Sequence, residues 1–259
     1  MNDADIRLQG APNFRDIGGH RVADGRRIRR GRVFRSGELS HLTDADLDTV
    51  RDLDIALVTD LRSLDETSVH RTRWPDGMAT EMHCADITVH VLINGRPIMD
   101  LMREIDTVEE ATRIFGLGFV EIPDYCGPAL KLITERLAAG VGPVVYHCTN
   151  GRDRTGIVSA MLLYMLGASH ETIVRDFLIT NERINVEQVI KNSIAAYKGM
   201  GIDVSREIFE RAVLVRPEYI DVMIDGLTAK YGSLDGYLRH FGIDDTLRDG
   251  LRSCLLESA

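Results

Sequence analysis

Cysteine is sparse in this chain, and its four copies, Cys84, Cys126, Cys148 and Cys254, stand far apart with no C-x-x-C pair among them. That spacing argues against a zinc cage or a disulfide framework and fits a reducing compartment in which thiols stay free. Long apolar runs are missing too: none approaches the ~20 residues that a membrane-spanning helix needs. The opening residues, Met1-Asn2-Asp3-Ala4-Asp5, are polar and acidic and lack the apolar core of an ordinary signal peptide. Low-complexity tracts and internal repeats are absent. Positive charge is in deficit, with 31 Lys and Arg against 40 Asp and Glu and a formal net charge of −9. This argues against general nucleic-acid binding and leaves basic chemistry to local clusters. Together these absences point to a cytoplasmic protein with no integral membrane segment; secretion without an N-terminal signal, and the oligomeric state, stay open.

What is present is enough apolar material for a core. With 259 residues, 44% of them hydrophobic, residues 1–259 read as one domain carrying an inserted subdomain. The organising stretch is His147-Cys148-Thr149-Asn150-Gly151-Arg152-Asp153-Arg154-Thr155-Gly156, between the apolar strand Val144-Val145-Tyr146 and a helix expected from about Asp153 to Leu166. A loop that curls into a helix start turns its N–H groups inward and adds them to the positive end of the helix dipole, which makes an anion site. That field favours the anionic sulfur of Cys148, a nucleophile. The planar fork of Arg154 can grip two oxygens of a phosphoryl group. Gly151 permits positive φ in the tight loop, and Gly156 permits close helix packing. The hydroxyl of Thr155 is suited to stabilising the departing thiolate. The backbone of Thr149, Asn150, Gly151, Arg152, Asp153 and Arg154 is the expected phosphate cradle. A bland alternative, a core cysteine with an arginine nearby by accident, is outweighed by the whole decapeptide in its strand-to-helix setting.

This decapeptide resembles the signature loop of the cysteine-dependent protein tyrosine phosphatases, and Asp153 directly before Arg154 is similar to their atypical bacterial branch. Asn13-Phe14-Arg15-Asp16-Ile17-Gly18-Gly19, Phe34-Arg35-Ser36, Asp60-Leu61-Arg62-Ser63, Arg216-Pro217-Glu218-Tyr219 and Tyr231-Gly232-Ser233 extend the likeness over nearly the full length. Two residues depart from the branch: Asn150 stands where Ala is usual and Arg152 where Lys is usual. The resemblance implies an α/β fold with a central, mostly parallel sheet flanked by helices, a helical lid and a helical C-terminal half. It also implies activity on phosphotyrosine, phosphoserine or phosphothreonine proteins and on phosphoinositides, no cofactor and no metal. It places the general acid at Asp153, whose other reading is a fixed carboxylate capping the helix N-terminus, and has His147 hydrogen-bonding the loop backbone.

Elsewhere the residues carry readings of their own. Arg26, Arg27, Arg29, Arg30, Arg32 and Arg35 are dense around the Asp24-Gly25 hairpin signal, either as a docking surface for anionic substrates or as a solvated hairpin. Arg15 and Arg35, inside the family pattern, are the expected substrate-binding arginines. Thr43 heads a helix running to about Leu53. Ile55-Ala56-Leu57-Val58 is short and apolar, as in a buried strand, which puts Asp60 at a strand's C-terminal edge where open α/β sheets hold their ligands. Asp60 is therefore expected to orient Arg154, with general acid as a second role. Trp74-Pro75-Asp76 reads as a turn, because it lies too early for an acid loop. Asp86, near the end of a strand from Glu81 to Ile87, is an alternative acid. Residues from about 94 to 120 read as a helical lid ahead of a helix from Tyr125 to Ala139. Phe115 and Phe119 within that lid are either substrate-facing or packed.

Helical spacing continues through 169–181, 186–197, 205–213 and 217–231, with two shorter pieces beginning at Ser233 and Asp244. These are expected to form a bundle on one sheet face. The function that follows is phosphomonoester hydrolysis through a phospho-cysteine. Its alternatives are a phosphate-binding module without turnover and a phosphatase of inositol phosphates.

Overall fold

The computed structural model describes residues 6–258 except residues 91, 94, 200, 203 and 204. In chain order the elements are β1 (Arg15–Asp16), β2 (Arg27–Ile28), β3 (Val33–Ser36), α1 (Asp44–Asp52), β4 (Leu57–Asp60), α2 (Leu64–Val69) and β5 (Glu81–Cys84). There follow β6 (Leu92–Ile93), β7 (Arg96–Pro97), α3 (Ile98–Met102), α4 (Val108–Ala138), β8 (Val144–His147), α5 (Asp153–Met165) and α6 (His170–Arg183). The chain finishes with α7 (Val186–Gly199), α8 (Arg206–Val213), α9 (Pro217–Tyr231), α10 (Leu234–His240), α11 (Asp245–Leu255) and β9 (Leu256–Glu257).

The central sheet has the order β1-β3-β8-β4-β5, parallel throughout except for β1, which runs antiparallel to β3. Side chains alternate across it as the period of a strand requires. Val33, Leu57, Val144 and Tyr146 enter the large core shared with α4, α5, α9 and α11, whereas Phe34, Val58 and Val145 enter a smaller core with Val50 of α1. Both faces of β3, β4 and β8 are thus covered, which is why these strands are buried throughout. Register places Ser36, His147 and Asp60 side by side at the C-terminal edge of three parallel strands. The segments leaving these strands all emerge at that edge, together with the segment after β5.

Local chemistry explains most boundaries. Thr43 and Ser63 each close a capping box at the head of α1 and α2, with Asp46 and Glu66 as the reciprocal partners. Ser169, Ser205, Ser233 and Asp244 cap α6, α8, α10 and α11, and Gly232 ends α9 in the left-handed region. Strand β4 starts two residues later than expected. Strand β5 stops at Cys84 because Asp86 adopts positive φ and turns its carboxylate to the Leu64 N–H at 2.9 Å.

The helical insertion differs from expectation. Residue 94, its expected start, lies outside the described residues. The expected break before Tyr125 is absent: α4 runs unbroken from Val108 to Ala138 through Pro123 and Pro128. Interior prolines cost a helix roughly 3 kcal/mol each, and burial of one face of α4 along most of its length offsets that. The N-terminal turns of α4 join α3, α7 and α8 around a separate small core of Met102, Ile105, Ala111, Ile114, Ile190, Ile202 and Ile208. The inserted unit is therefore built from two distant stretches of chain, and α7 and α8 belong to it rather than to a bundle on the sheet face. The arginine-bearing hairpin closes around Asp24-Gly25 as expected, with Arg21 bridging Arg27, and β2 also pairs with β9.

Candidate active site

The loop after β8 is shaped from outside by its carbonyl groups. The carbonyl of Thr149 accepts from Glu38 N–H at 3.0 Å, that of Asn150 from Asn13 Nδ2 at 3.0 Å, and that of Gly151 from Asn13 Nδ2 at 3.0 Å and Arg35 Nη2 at 2.9 Å. In a planar trans peptide the C=O and the following N–H point in opposite directions. Carbonyls drawn outward at 149, 150 and 151 therefore turn the N–H groups of 150, 151 and 152 into the loop, which ends at the N-terminus of α5. Gly151 has φ +64°, and a Cβ there would lie 2.5 Å from Ser36 O. Gly156 lets α5 approach α6, since a Cβ on it would meet the Phe177 ring at 2.6 Å. Cys148 heads this loop, buried in the large core at 4% exposure. The Thr155 hydroxyl is buried with no hydrogen-bond partner among the described residues.

Arg154 projects from the first turn of α5 and is held by Glu66. Its Nη1 donates to Glu66 Oε2 at 2.6 Å and its Nη2 to Glu66 Oε1 at 2.7 Å, while the Leu61 and Ile87 carbonyls accept from Nη1 at 3.2 Å. Thr149 Oγ1 donates to the same Glu66 carboxylate, and the Ser63 N–H donates to it at 2.9 Å. Burial acts to raise the Glu66 carboxyl, but the Arg154 contacts, Thr149 and Ser63 outweigh it and hold the group at about 2. The Arg154 guanidinium is pushed upward in turn, because these partners exceed its own desolvation.

This assigns the orienting carboxylate differently from the sequence reading. Asp60 does not contact Arg154: it pairs with Arg62, Nη2 to Oδ2 at 2.7 Å and Nε to Oδ1 at 2.9 Å, and stands 3.6 Å from His147 Nε2. Burial would raise Asp60, yet the Arg62 hydrogen bonds and the neighbouring charges leave it lowered. Burial pushes the His147 imidazole down to about 4, so it is neutral at neutral pH. Arg62 also reaches Glu38 Oε2 at 3.2 Å.

Arg15 and Arg35 do not face substrate. They are 4% and 0% exposed and share Asp176 of α6: Arg35 Nη1 donates to Oδ2 at 2.6 Å and Arg15 Nε to Oδ1 at 3.3 Å. Burial, then the charge of Arg35, lowers Arg15 to about 10. Burial works to raise Asp176, but the two guanidinium groups outweigh it and the carboxyl is lowered. Both arginines lead to the loop, Arg35 directly at Gly151 O and Arg15 through Asn13, so they position the cradle from behind. The other hairpin arginines lie at the opposite end of the sheet. Arg32, just before β3, donates to Gly140 O at 3.1 Å just before β8, Arg26 pairs with Asp24, and Arg29 with Glu257.

Asp153, Arg154, Glu66 and Ser63 line a cleft with Ile87, Thr88, Val89 and Ile122. Asp153 occupies the first turn of α5 without capping it; its carboxylate is gripped by Arg152, Nε to Oδ1 at 3.0 Å and Nη2 to Oδ2 at 3.0 Å. Asp86 is committed to the start of α2, and Phe119 is packed, stacked on Tyr219 at 5.0 Å and edge-on to Phe177 at 5.7 Å. Phe115 is half-buried between the two helical cores. The residues missed in the sequence are Glu66, Asn13 and Asp176. Asn13 stood in the familial Asn13-to-Gly19 motif without a role, and Glu66 carried the Ser63-x-x-Glu66 capping-box spacing, which announces a helix start rather than an arginine clamp.

A family model described as the tyrosine phosphatase family matches residues 6–257. The triple specificity protein phosphatase PtpB of Mycobacterium tuberculosis is 32% identical over 281 residues, covering 96% of this chain and 98% of that protein. A tyrosine-protein phosphatase of Nostoc commune is 27% identical over 212 residues, covering 81% of this chain and 69% of the relative. Among solved structures, the core catalytic domain of the PP-IP phosphatase SIW14 from S. cerevisiae aligns with a TM-score of 0.35 and 10% identity, over 78% of this chain and 100% of that one. Among the described residues, no helix is long and apolar enough to cross a membrane.

Proposed function

The chain belongs to the tyrosine phosphatase family, and from that premise we propose that it hydrolyses phosphomonoesters through a phospho-cysteine on Cys148. Phosphotyrosine proteins are the main substrate class; phosphoserine, phosphothreonine and phosphoinositides are further ones, as the name of the mycobacterial relative encourages. One observation carries the reading. The carbonyls of Thr149, Asn150 and Gly151 are pulled outward around Cys148 while Glu66 holds Arg154 end-on through both Nη atoms. Inward-turned N–H groups and a guanidinium fixed beside them suit the three equatorial oxygens of a phosphoryl group.

In the first step the Cys148 sulfur attacks phosphorus in line, an S–P bond forms, and the ester P–O bond breaks. Protonated Asp153 gives its proton to the leaving oxygen. In the second step water attacks phosphorus, Asp153 takes a proton back, and the S–P bond breaks with the electron pair returning to sulfur. Thr155 is the hydroxyl available to that thiolate. Arg152 must leave Asp153 for the acid to act, and a phosphoryl group or an anionic substrate surface offers it another partner. The unit built from α3, the start of α4, α7 and α8 is the lid in this reading. Asn13, Arg15, Arg35 and Asp176 set the loop, and Asp60 with Arg62 and His147 sets the strand edge beneath it.

The test is phosphate release from a phosphotyrosine peptide, a phosphoserine peptide and soluble short-chain phosphoinositides, with wild type beside Cys148→Ser. Turnover that disappears in Cys148→Ser supports the mechanism, and the ranking of the panel gives the substrate class. Absence of turnover on every member, with phosphopeptide binding intact, would replace the enzyme by a phosphate-binding module.

A further inference from the structure

We propose that Glu38, His41 and His70 form a binding site for a divalent transition metal, of which zinc is the expected occupant. The three side chains come from two segments far apart in sequence, the turn after β3 and the end of α2. Each offers one ligand atom, and these atoms all lie within 4.8 Å of one another. Glu38-x-x-His41 is a short metal-ligand spacing, but His70 joins it only in the fold.

The distances suit the ion. Zinc bound tetrahedrally at ~2.0–2.1 Å has ligand atoms about 3.4 Å apart along each edge of the tetrahedron. His41 Nε2 stands 3.4 Å from Glu38 Oε1, already one such edge. Two imidazoles on one tetrahedral ion have ring centres roughly 5 Å apart by the same geometry. The rings of His41 and His70 are 5.8 Å apart at 65°, close to that separation. Two histidines and a carboxylate are a zinc-type donor set, three protein ligands with the fourth position left to water. A rotation of one exposed histidine ring closes the remaining gap; the His41 side chain is 63% exposed and free to make it.

The backbones beneath the donors are tied together. Glu38 N–H is fixed to Thr149 O at 3.0 Å, His70 N–H to Glu66 O at 3.1 Å, and Arg73 N–H to Leu39 O at 3.1 Å. Arg73 also donates to the Leu42 carbonyl, so the segment after His70 and the segment around His41 are joined on both sides of the site. Glu38 is oriented from behind by Arg62, whose Nη1 reaches its Oε2 and leaves Oε1 for an ion. Little backbone entropy therefore remains to be lost on binding, and the exposed His41 and His70 side chains carry the rest of the ordering cost.

The site is not part of the phosphate loop, but it touches both of the loop's supports. Glu38 holds the Thr149 carbonyl, and His70 caps the helix that carries Glu66. An ion there would tether the turn after β3 to the end of α2 and so stiffen the frame around Arg154.

The experiment is calorimetric titration of zinc alone into the full chain carrying Cys84→Ser and Cys148→Ser, which removes the exposed cysteine and the loop cysteine as competing ligands. The expected result is one site per chain, weakened at least tenfold by His41→Ala and by His70→Ala and unchanged by the control His170→Ala. Affinity should fall on acidification, since protons compete with the metal for each ligand. Cobalt in place of zinc should give the intense visible absorption of tetrahedral coordination, lost in the His41→Ala, His70→Ala double variant. Unchanged melting temperatures of these surface variants without metal would show that they fold. Absence of zinc binding, or binding that survives the double variant, would overturn the site.

Discussion

Glu66 holds Arg154 with both carboxylate oxygens, at 2.6 and 2.7 Å, and the same carboxylate closes the capping box that starts α2. Helix initiation and arginine placement are thereby one structural event. Glu66→Gln should keep the fold, because an amide oxygen can still serve the cap, yet lower kcat/KM by roughly 10- to 100-fold as the charge-assisted clamp weakens. Asp60→Asn should do the reverse and cost stability more than turnover, since Asp60 neutralises buried Arg62. Steady-state rates beside urea melts separate the two, and a larger kinetic loss in Asp60→Asn would return the arginine-orienting role to that residue.

Asp176 is the shared counter-charge of two buried arginines. Asp176→Ala should destabilise the protein by roughly 3–5 kcal/mol, the cost of leaving buried charge uncompensated. The loop should loosen even where the protein remains folded, because Arg35 and Asn13 lose their anchor. Thermal denaturation and kcat/KM at a temperature well below the melt would test both parts; a native melting temperature would refute the keystone role.

Gly151 is in the left-handed region with Ser36 O only 2.5 Å from where a Cβ would sit. Gly151→Ala should cost ~1–2 kcal/mol for the conformation alone, and more from the clash. The loop carbonyl held by Asn13 and Arg35 must then shift, so turnover should fall by at least tenfold while most of the fold persists. A variant with normal kcat would show that the loop tolerates the displacement.

His147 links stability to pH. Its folded pKa of about 4 lies below the ordinary 6.5, so between these values the unfolded chain binds a proton that the native state does not. Stability from this group is complete above about pH 6.5 and is lost as pH falls toward 4, up to roughly 3 kcal/mol. Glu66, held at about 2 against an ordinary 4.5, adds a further loss below pH 4.5. Unfolding free energy measured from pH 7 to 4 should fall for the wild type and flatten in His147→Asn. An unchanged slope in the variant would rule out His147 as the source.

Asp153→Ala should slow alkyl phosphates by roughly 10²–10⁴-fold and activated aryl phosphates much less, because a good leaving group needs little proton donation. Equal losses on both would point to a structural role for the carboxylate. Arg152→Ala, which frees Asp153 from its 3.0 Å partner, should leave that leaving-group contrast in place.

The parts legible in sequence are those governed by neighbours along the chain. Thr43 with Asp46, Ser205 before α8, and Pro217 and Gly232 at the two ends of α9 act within one helical turn, and their elements fall where expected. The alternation of Val144, Val145 and Tyr146 marks a strand covered on both faces. The break expected before Tyr125 does not form: burial along α4 overrides the local cost of its two prolines. Arg15 and Arg35 misled because arginines inside a familial pattern read as substrate contacts until their distant carboxylate is known. That carboxylate, Asp176, is 141 residues beyond Arg35.

By itself the sequence determined the Cys148 to Arg154 spacing, the strand-to-helix setting of that loop and the helix ends, because backbone sterics, capping and periodicity operate over a few residues; the parallel sheet was expected from the family resemblance. Tertiary structure alone decided which carboxylate serves which arginine, Glu66 for Arg154, Asp60 for Arg62 and Asp176 for Arg15 and Arg35. It also decided that α3 and the start of α4 share a core with α7 and α8, and that Glu38, His41 and His70 meet. Charge pairing and apolar burial act through space, and a partner 88 residues away leaves no trace in the local pattern.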